Sequence, residues 1–413
     1  MSRLLLYLSA LSLCLTACER LVPSPNQSDY FIKLYGGRFL DQGQDVLAVP
    51  GSQDYLILGT SLSFNAQDAD LLLMRTDSLG NELFGVGIGG QANDRASKMA
   101  PLPSGNGLVV GGTSDDGQKD ALVARLSWNL DLAWQVSVGS DLGDETLSQL
   151  IATADGGILL VGSTTQIDTA KNDWDGNQAF DDSDIWIVKL SETGQVLWEK
   201  KYGFGGSDHG VAVRELNKQY HILATTDYLQ NIPGDEEVLL IRLNENGNIL
   251  DQQVIEIDGQ DDRAADLALL PDGDWMVLSS FQVNGDPNSQ LQLLRVGAKL
   301  DQYERFALSG GELTGHLEAR FLELLPGGEG LAISAIRRSF ALGNGDMVLV
   351  RTDLTGKLNW AASFGSSGDD ACGGLVWTGE ESFLLSGTID YENDNSMVCL
   401  IKTQLNNQGE VLP

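Results

Sequence analysis

One anchor recurs along the chain: a basic residue closing a short apolar run, at Arg75, Arg125, Lys189, Arg242, Arg295, Arg351 and Lys402. Successive copies stand 50 to 64 residues apart. Five residues upstream is an acid in five copies (Asp70, Asp120, Asp184, Glu237, Asp346), with Gln290 and Met397 in the other two. Five residues downstream is a glycine in four copies (Gly80, Gly194, Gly247, Gly356); Gly409 arrives two residues late in the last. Four residues beyond that position come the aromatics Phe84, Trp134, Trp198 and Trp360. A glycine-rich corner follows, clearest at Gly36-Gly37, Gly89-Gly90, Gly205-Gly206 and Gly310-Gly311. A tandem period of this length confines the chain to a repeat architecture, in which each unit buries its apolar faces against its neighbours.

Each unit holds four runs of strand length. In the fourth they are 210–216, 220–226, 238–243 and 248–254, rich in Val, Ile, Leu and aromatics and separated by turn residues. Helical spacing of apolar residues is absent over any useful window. Four short antiparallel strands per period predict propeller blades. Seven periods use the chain from Tyr30 to Pro413. The expected fold is therefore all-β: a single seven-bladed β-propeller over 29–413, four antiparallel strands per blade, with no second domain. Tyr30 to Gly37 reads as the second half of an outer strand and Gly409 to Leu412 as its first half. The outer strand of the last blade is thus expected from the N-terminus, which closes the ring and hides the sheet edges.

The first residues carry an address. Arg3 is the only charge among the first 17, and Leu4 to Leu15 is apolar but shorter than the ~20 residues a membrane-spanning helix needs. The run ends Leu15-Thr16-Ala17-Cys18. This segment resembles the lipobox of bacterial lipoproteins. The resemblance implies a signal peptide over 1–17, lipidation (palmitate included) of Cys18, and a lipidated tether over 18–28. Glu19 after the cysteine implies the outer membrane. The remainder resembles the WD-like, Asp/Gly-rich repeat propellers of exported bacterial lipoproteins, a likeness that speaks for fold and not for activity. With 58 acidic against 26 basic residues and a formal charge of −32, the chain is a poor partner for nucleic acid or an anionic membrane surface. Membrane contact is expected through the lipid alone.

Strand direction sorts the loops onto two faces. One face carries tight turns such as Pro271-Asp272-Gly273-Asp274; the other carries insertions at 63–69, 166–182, 228–236 and 338–344. Function is expected on the second face, on irregular loops held by a rigid scaffold. There, Asp173, Asp175, Asn177, Asp181 and Asp182 offer the oxygen ligands calcium prefers, although Lys171 stands where a first acidic ligand belongs. The alternative is a solvated acidic loop. Trp174 and Phe180 lie among these acids, either as a contact patch on the binding face or folded inward to pin the long loop. Asp208 joins them on the binding face, within a ring of acids at the blade connections: Asp45, Asp94, Asp144, Asp262, Glu318 and Asp370. Such a ring attracts cations if it lines a funnel, or each acid caps its own turn; recurrence in every unit favours capping.

His209, His221 and His316 fall in different units, so no zinc site is expected. Cys372 and Cys399 fall on first and third strands of the last unit, roughly 9–10 Å apart at the usual strand spacing. That is too far for a disulfide, and two buried free thiols are expected. No Gly-x-Ser-x-Gly, phosphate-loop or His-Glu-x-x-His pattern occurs. The expected protein is a lipid-anchored envelope propeller, a monomer or a component of an envelope complex, that binds a protein or extracellular polymer without catalysis. The alternatives are a calcium-assisted polysaccharide hydrolase or lyase, and an outer-membrane assembly factor.

Overall fold

A computed structural model describes residues 30–404 except 38, 64–67, 166–182, 205, 228–235, 258–259, 284, 339–343, 380–381 and 392–394. Its strands form seven four-stranded antiparallel sheets, six of them built from consecutive strands. In the seventh, Phe31–Tyr35 pairs with Asn395–Gln404, Phe31 opposite Lys402 and Tyr35 opposite Val398. The N-terminal strand therefore closes the ring, as the terminal residues predict; 409–412 lie outside the described residues. The fourth blade runs Asp208–Leu216, Gln219–Thr226, Glu237–Leu243 and Ile249–Ile255, within two residues of the runs read from sequence.

The burial of each strand follows its place in the blade. Second strands such as Tyr55–Ser61 and Ile158–Thr164 are buried along their whole length, because neighbouring blades cover both faces. Their unbroken apolar runs suit that position. Outer strands such as Val196–Tyr202 face solvent and carry charge. The core lies between blades: Leu56, Leu58 and Leu73 of the first pack on Met99, Leu108 and Val110 of the second. At the closing seam, Val46, Ile57 and Leu72 of the first meet Leu384, Val398 and Leu400 of the seventh.

The sequence anchors are staples between blades. Arg75 donates to Asp54 in its own blade at 2.6 and 2.9 Å and to the Trp128 carbonyl in the next at 2.8 Å. Arg242 reaches the Ala298 carbonyl in the same way at 2.8 Å. The downstream glycine sits in a left-handed turn, at φ 81° for Gly194, with the Trp134 ring of the preceding blade packed against it. Trp134 also donates through Nε1 to the Glu192 carbonyl at 3.1 Å. In the second and fifth blades the same backbone position is held by Leu130 at φ 64° and Leu300 at φ 58°, so the turn persists where the glycine is missing. Cys372 and Cys399 are free and buried, as expected, and burial pushes the Cys372 thiol up to about 12.

Candidate functional site

The innermost strands line the channel: Asp41–Ala48, Asn93–Pro101, Glu145–Ala152, Asp208–Leu216, Gln260–Leu269, His316–Leu324 and Ala371–Gly379. Each carries a bulge near its middle. Two residues before it stand Asp41, Asp94, Glu145, Asp208, Asp262, Leu317 and Asp370, all buried. The carboxylates take backbone N–H groups of the connection just upstream: Gly37 to Asp41 at 2.9 Å, Gly90 to Asp94 at 3.1 Å, Ser140 to Glu145 at 3.0 Å, Phe204 to Asp208 at 2.6 Å, and Ser366 to Asp370. The acids cap their turns. The sequence reading of the ring needs correction in three blades, where Asp41, Glu145 and Leu317, not Asp45, Asp144 and Glu318, hold the position. Asp45 lies beyond the bulge and pairs with Lys98 at 2.8 Å.

These acids also meet the repeat's third-strand acids. Asp70 and Asp94 flank Gly89 so closely that a Cβ there would collide with both, which accounts for the corner glycine. Burial, then the neighbouring Asp184 and Asp227 charges, push Asp208 up to about 7 against hydrogen bonds from Thr226 and the Phe204 N–H. Asp94 and Asp370 move the same way, from burial first, with Asp70 and Asp346 adding to it.

This regular plan fails between the fifth and sixth blades. Opposite the capping acid, the second strand carries Ser61, Ser114, Thr164 and Thr226 in the first four blades, but Phe281 and Arg337 in the fifth and sixth. Gln290 replaces the third-strand acid and Leu317 the next capping acid. The corner therefore has no carboxyl couple. Arg305 from the outer strand lies over the Phe281 ring at 4.3 Å and bonds Gln292 and Gln260. Gln292 bonds Asp262 in turn, from a site that is Leu72, Leu122 or Leu239 in other blades. In the sixth blade Arg337 pairs with Asp346 at 2.8 Å and with Glu312.

Beside this corner a cavity of about 540 Å³ opens at the channel mouth, lined by Arg263, Arg320, His316, Glu318, Gln282 and Ser148 among others. Side chains from opposite blades meet across its floor. Lys98 of the second blade crosses to the Phe321 ring of the sixth at 4.5 Å while paired with Asp45. Arg214 ties Asp266 at 2.8 Å to Gln149 at 2.9 Å.

One cluster in the cavity resembles a nucleophile–base–acid chain. Ser289 Oγ lies 3.1 Å from His316 Nδ1, and His316 Nε2 lies 3.6 Å from Glu318. Its hydrogen bonds run the wrong way for nucleophilic catalysis. Ser289 Oγ donates to the Leu317 carbonyl at 2.6 Å, and His316 Nδ1 accepts the Ser289 backbone N–H at 3.1 Å. The imidazole is therefore not set to take the seryl proton. Burial would raise the Glu318 carboxyl, but the hydrogen bond and charge of Arg338, with Arg320 and His316, hold it below its ordinary value. The cluster is a hydrogen-bonded polar wall of the cavity.

Of the residues singled out from sequence, Cys18, Asp173, Trp174, Asp175, Asn177, Phe180, Asp181 and Asp182 lie outside the described residues, as do most of the four insertions. Asp208 is a capping acid, fully buried. Among the described residues no three His, Cys, Asp or Glu side chains are grouped to hold a metal ion. Sequence reasoning missed Arg263, Arg320, His316 and Gln282; the one signal near them was Gln290, an exception in the acid column.

No protein family and no curated protein matches the sequence. Solved structures do. The chain is similar to a polysaccharide lyase of family PL25, an ulvan lyase, at 10% identity and TM-score 0.56, over 91% of this chain and 97% of that one. It is similar to puromycin hydrolase at 14% identity and TM-score 0.54, over 91% of this chain and 53% of the hydrolase, so it spans about half that enzyme's length. It is similar to a protein of unknown function from Dyadobacter fermentans at 12% identity and TM-score 0.51, over 75% of this chain and 94% of that one. At such identities the likeness establishes the propeller fold and no activity.

Proposed function

We propose that the protein is a binding propeller of the bacterial envelope, held by lipid on Cys18 and the tether over 18–28, which presents its channel mouth to a protein or polymer without transforming it. The observation that carries this reading is the broken corner between the fifth and sixth blades. A motif repeated in every blade needs only a structural explanation. The acid column also breaks at Met397, where Asp41 keeps its carboxyl; only the corner of Gln290 and Leu317 loses both, and a corner that trades a buried carboxyl couple for a cavity edged by guanidinium groups calls for a ligand. The proton path from Ser289 to a carbonyl and the ion-paired state of Glu318 support binding over hydrolysis.

The test is site-specific photocrosslinking in cells, with the probe placed at position 320 on the mouth or at position 353 on the opposite face. Adducts are expected from 320 and not from 353. Adducts from 353 alone, or equal yields from both, would reverse the assignment of the binding face. Metabolic labelling with palmitate tests the anchor separately: label is expected in the parent and lost in the Cys18→Ala variant.

A further inference from the structure

We propose that the mouth between the fifth and sixth blades recognises a sugar acid, taking the carboxylate of a uronic acid residue between the Arg263 and Arg320 guanidinium groups. This rests on the mouth being the binding face.

The argument begins with a count of donors. A guanidinium carries five N–H groups. Arg263 makes one hydrogen bond, from Nε to Glu236 at 2.6 Å, and Arg320 makes one, from Nη2 to Glu318 at 3.1 Å. Neither makes another to the described residues, and both line the cavity. Four of the other cations around the bore are engaged, and Arg95 is not part of the cavity lining. Lys98 holds Asp45, Arg214 holds Asp266 and Gln149, Arg305 holds Gln292 and Gln260, and Arg338 holds Glu318 and Asp369. Two guanidinium groups that line one cavity and keep unused donors match a carboxylate, which takes such donors in pairs.

Charge limits the ligand to a weak anion. The chain carries a formal charge of −32 and repels anions at a distance. The cavity itself is balanced: Lys98, Arg263 and Arg320 face Asp261, Asp266 and Glu318. A single negative charge is tolerated there, whereas a phosphate string meets the surrounding acids.

The remaining lining selects hydroxyl groups over apolar side chains. Gln44 and Ser148 line the cavity and make no side-chain hydrogen bond to other described residues. Both aromatic rings are already covered, Phe281 by Arg305 and Phe321 by Lys98. The apolar lining is mostly small side chains such as Ala96, Ala264, Ala265 and Ala319, so a large peptide side chain gains little there, whereas a pyranose finds partners for its hydroxyls. Lys98 and Arg214 reach across the bore beneath the cavity and stand in the way of a threaded polymer, so the ligand is a free sugar acid or the terminal residue of an acidic polysaccharide.

Titration calorimetry of the full-length, detergent-solubilised protein tests this with glucuronate, galacturonate, their oligomers and glucose. Heat is expected with a uronate and not with glucose. The Arg263→Ala/Arg320→Ala double variant should bind at least ~10-fold more weakly, and the double lysine variant should fall between. An oligouronide binding ~10-fold more tightly than the monomer would identify a polymer end as the source, and equal affinities a free sugar acid. Equal binding of glucose and uronates, or an unchanged affinity in the double alanine variant with its melting curve intact, would overturn the proposal. No uronate heat alongside persistent crosslinks from position 320 sinks the sugar-acid assignment and leaves the binding face standing; loss of both sinks both.

Discussion

The fourth and fifth blades share one backbone and solve the same problem in different ways. In the fourth, Asp208, Thr226 and Glu237 lie side by side across three strands, and Leu239 fills the interior behind them. In the fifth, Asp262 faces Phe281 and Gln290, and Gln292 replaces the leucine. The lost hydroxyl and acid are compensated by Arg305, which enters from the outer strand and shares its donors between Gln292 and Gln260. A repeat fold thus tolerates rewiring of one unit when the side chains that replace a lost pair bring partners of their own. The freed corner can then be used for something else.

The largest effect should come from making the fifth blade look like the fourth in one step only. Gln292→Leu restores the apolar site but leaves the Arg305 Nε without its acceptor and removes an amide donor from buried Asp262. A stability loss of about 3 kcal/mol is expected in chemical denaturation. Adding Arg305→Leu should recover part of that loss, because the two residues form one network. A neutral single substitution would mean that the two blades differ in appearance only.

The contrast between these blades also marks how far the sequence could be read. The period, the strands and the ring closure were legible because each depends on spacing within a single unit. Arg75, Gly194 and Trp134 recur at fixed offsets since each staples one blade to the next. The capping acids were legible in kind but displaced in three blades. Asp41 and Asp45, or Asp144 and Glu145, stand close together in sequence, and only the strand pairing shows which acid lies opposite the second strand. The mouth was not legible. Arg263, Gln282, His316 and Arg320 come from two blades and meet only through the ring, and Gln292 with Arg305 reads in sequence as two unremarkable polar residues on strands.

A second, smaller effect separates carboxyl corners from the corner that has none. Burial and its acidic neighbours push Asp208 up to about 7, from an ordinary value of 3.8. The folded chain therefore holds a proton between those limits that the unfolded chain has lost. That contribution to stability is complete below the lower limit and disappears as pH rises through the upper one. His221 acts in the opposite sense: burial, then the Arg242 charge, lower it to about 4, so stability falls as pH drops from 6.5 toward 4. Comparing Asp208→Asn with its parent cancels the histidine. Relative to the parent, the variant should gain roughly 2 kcal/mol between pH 5 and pH 8. Leu317→Asn, at the corner without a couple, should show no such pH trend. Matching slopes for the two variants would refute a carboxyl origin.

The smallest effect compares the second and third blades at the turn after the third strand. Leu130 holds φ 64° and Gly194 holds φ 81°, so both occupy a conformation that costs a residue with a Cβ about 1 kcal/mol. Leu130 offsets this by burial in the apolar cluster between the first two blades. Gly194 has no such opportunity, because the Trp134 ring lies 3.1 Å from where its Cβ would be. Gly194→Ala should therefore cost about 1–2 kcal/mol, the backbone term plus a small shift of the indole. Weakening of the Trp134 Nε1 bond to the Glu192 carbonyl should appear as a change in tryptophan fluorescence. Leu130→Gly relieves the backbone and loses the buried side chain, so it too should destabilise, through the opposite term. If Gly194→Ala were neutral, the recurring glycine would owe nothing to this turn, and the packing of each tryptophan on the next blade would have to be set by the basic staple alone.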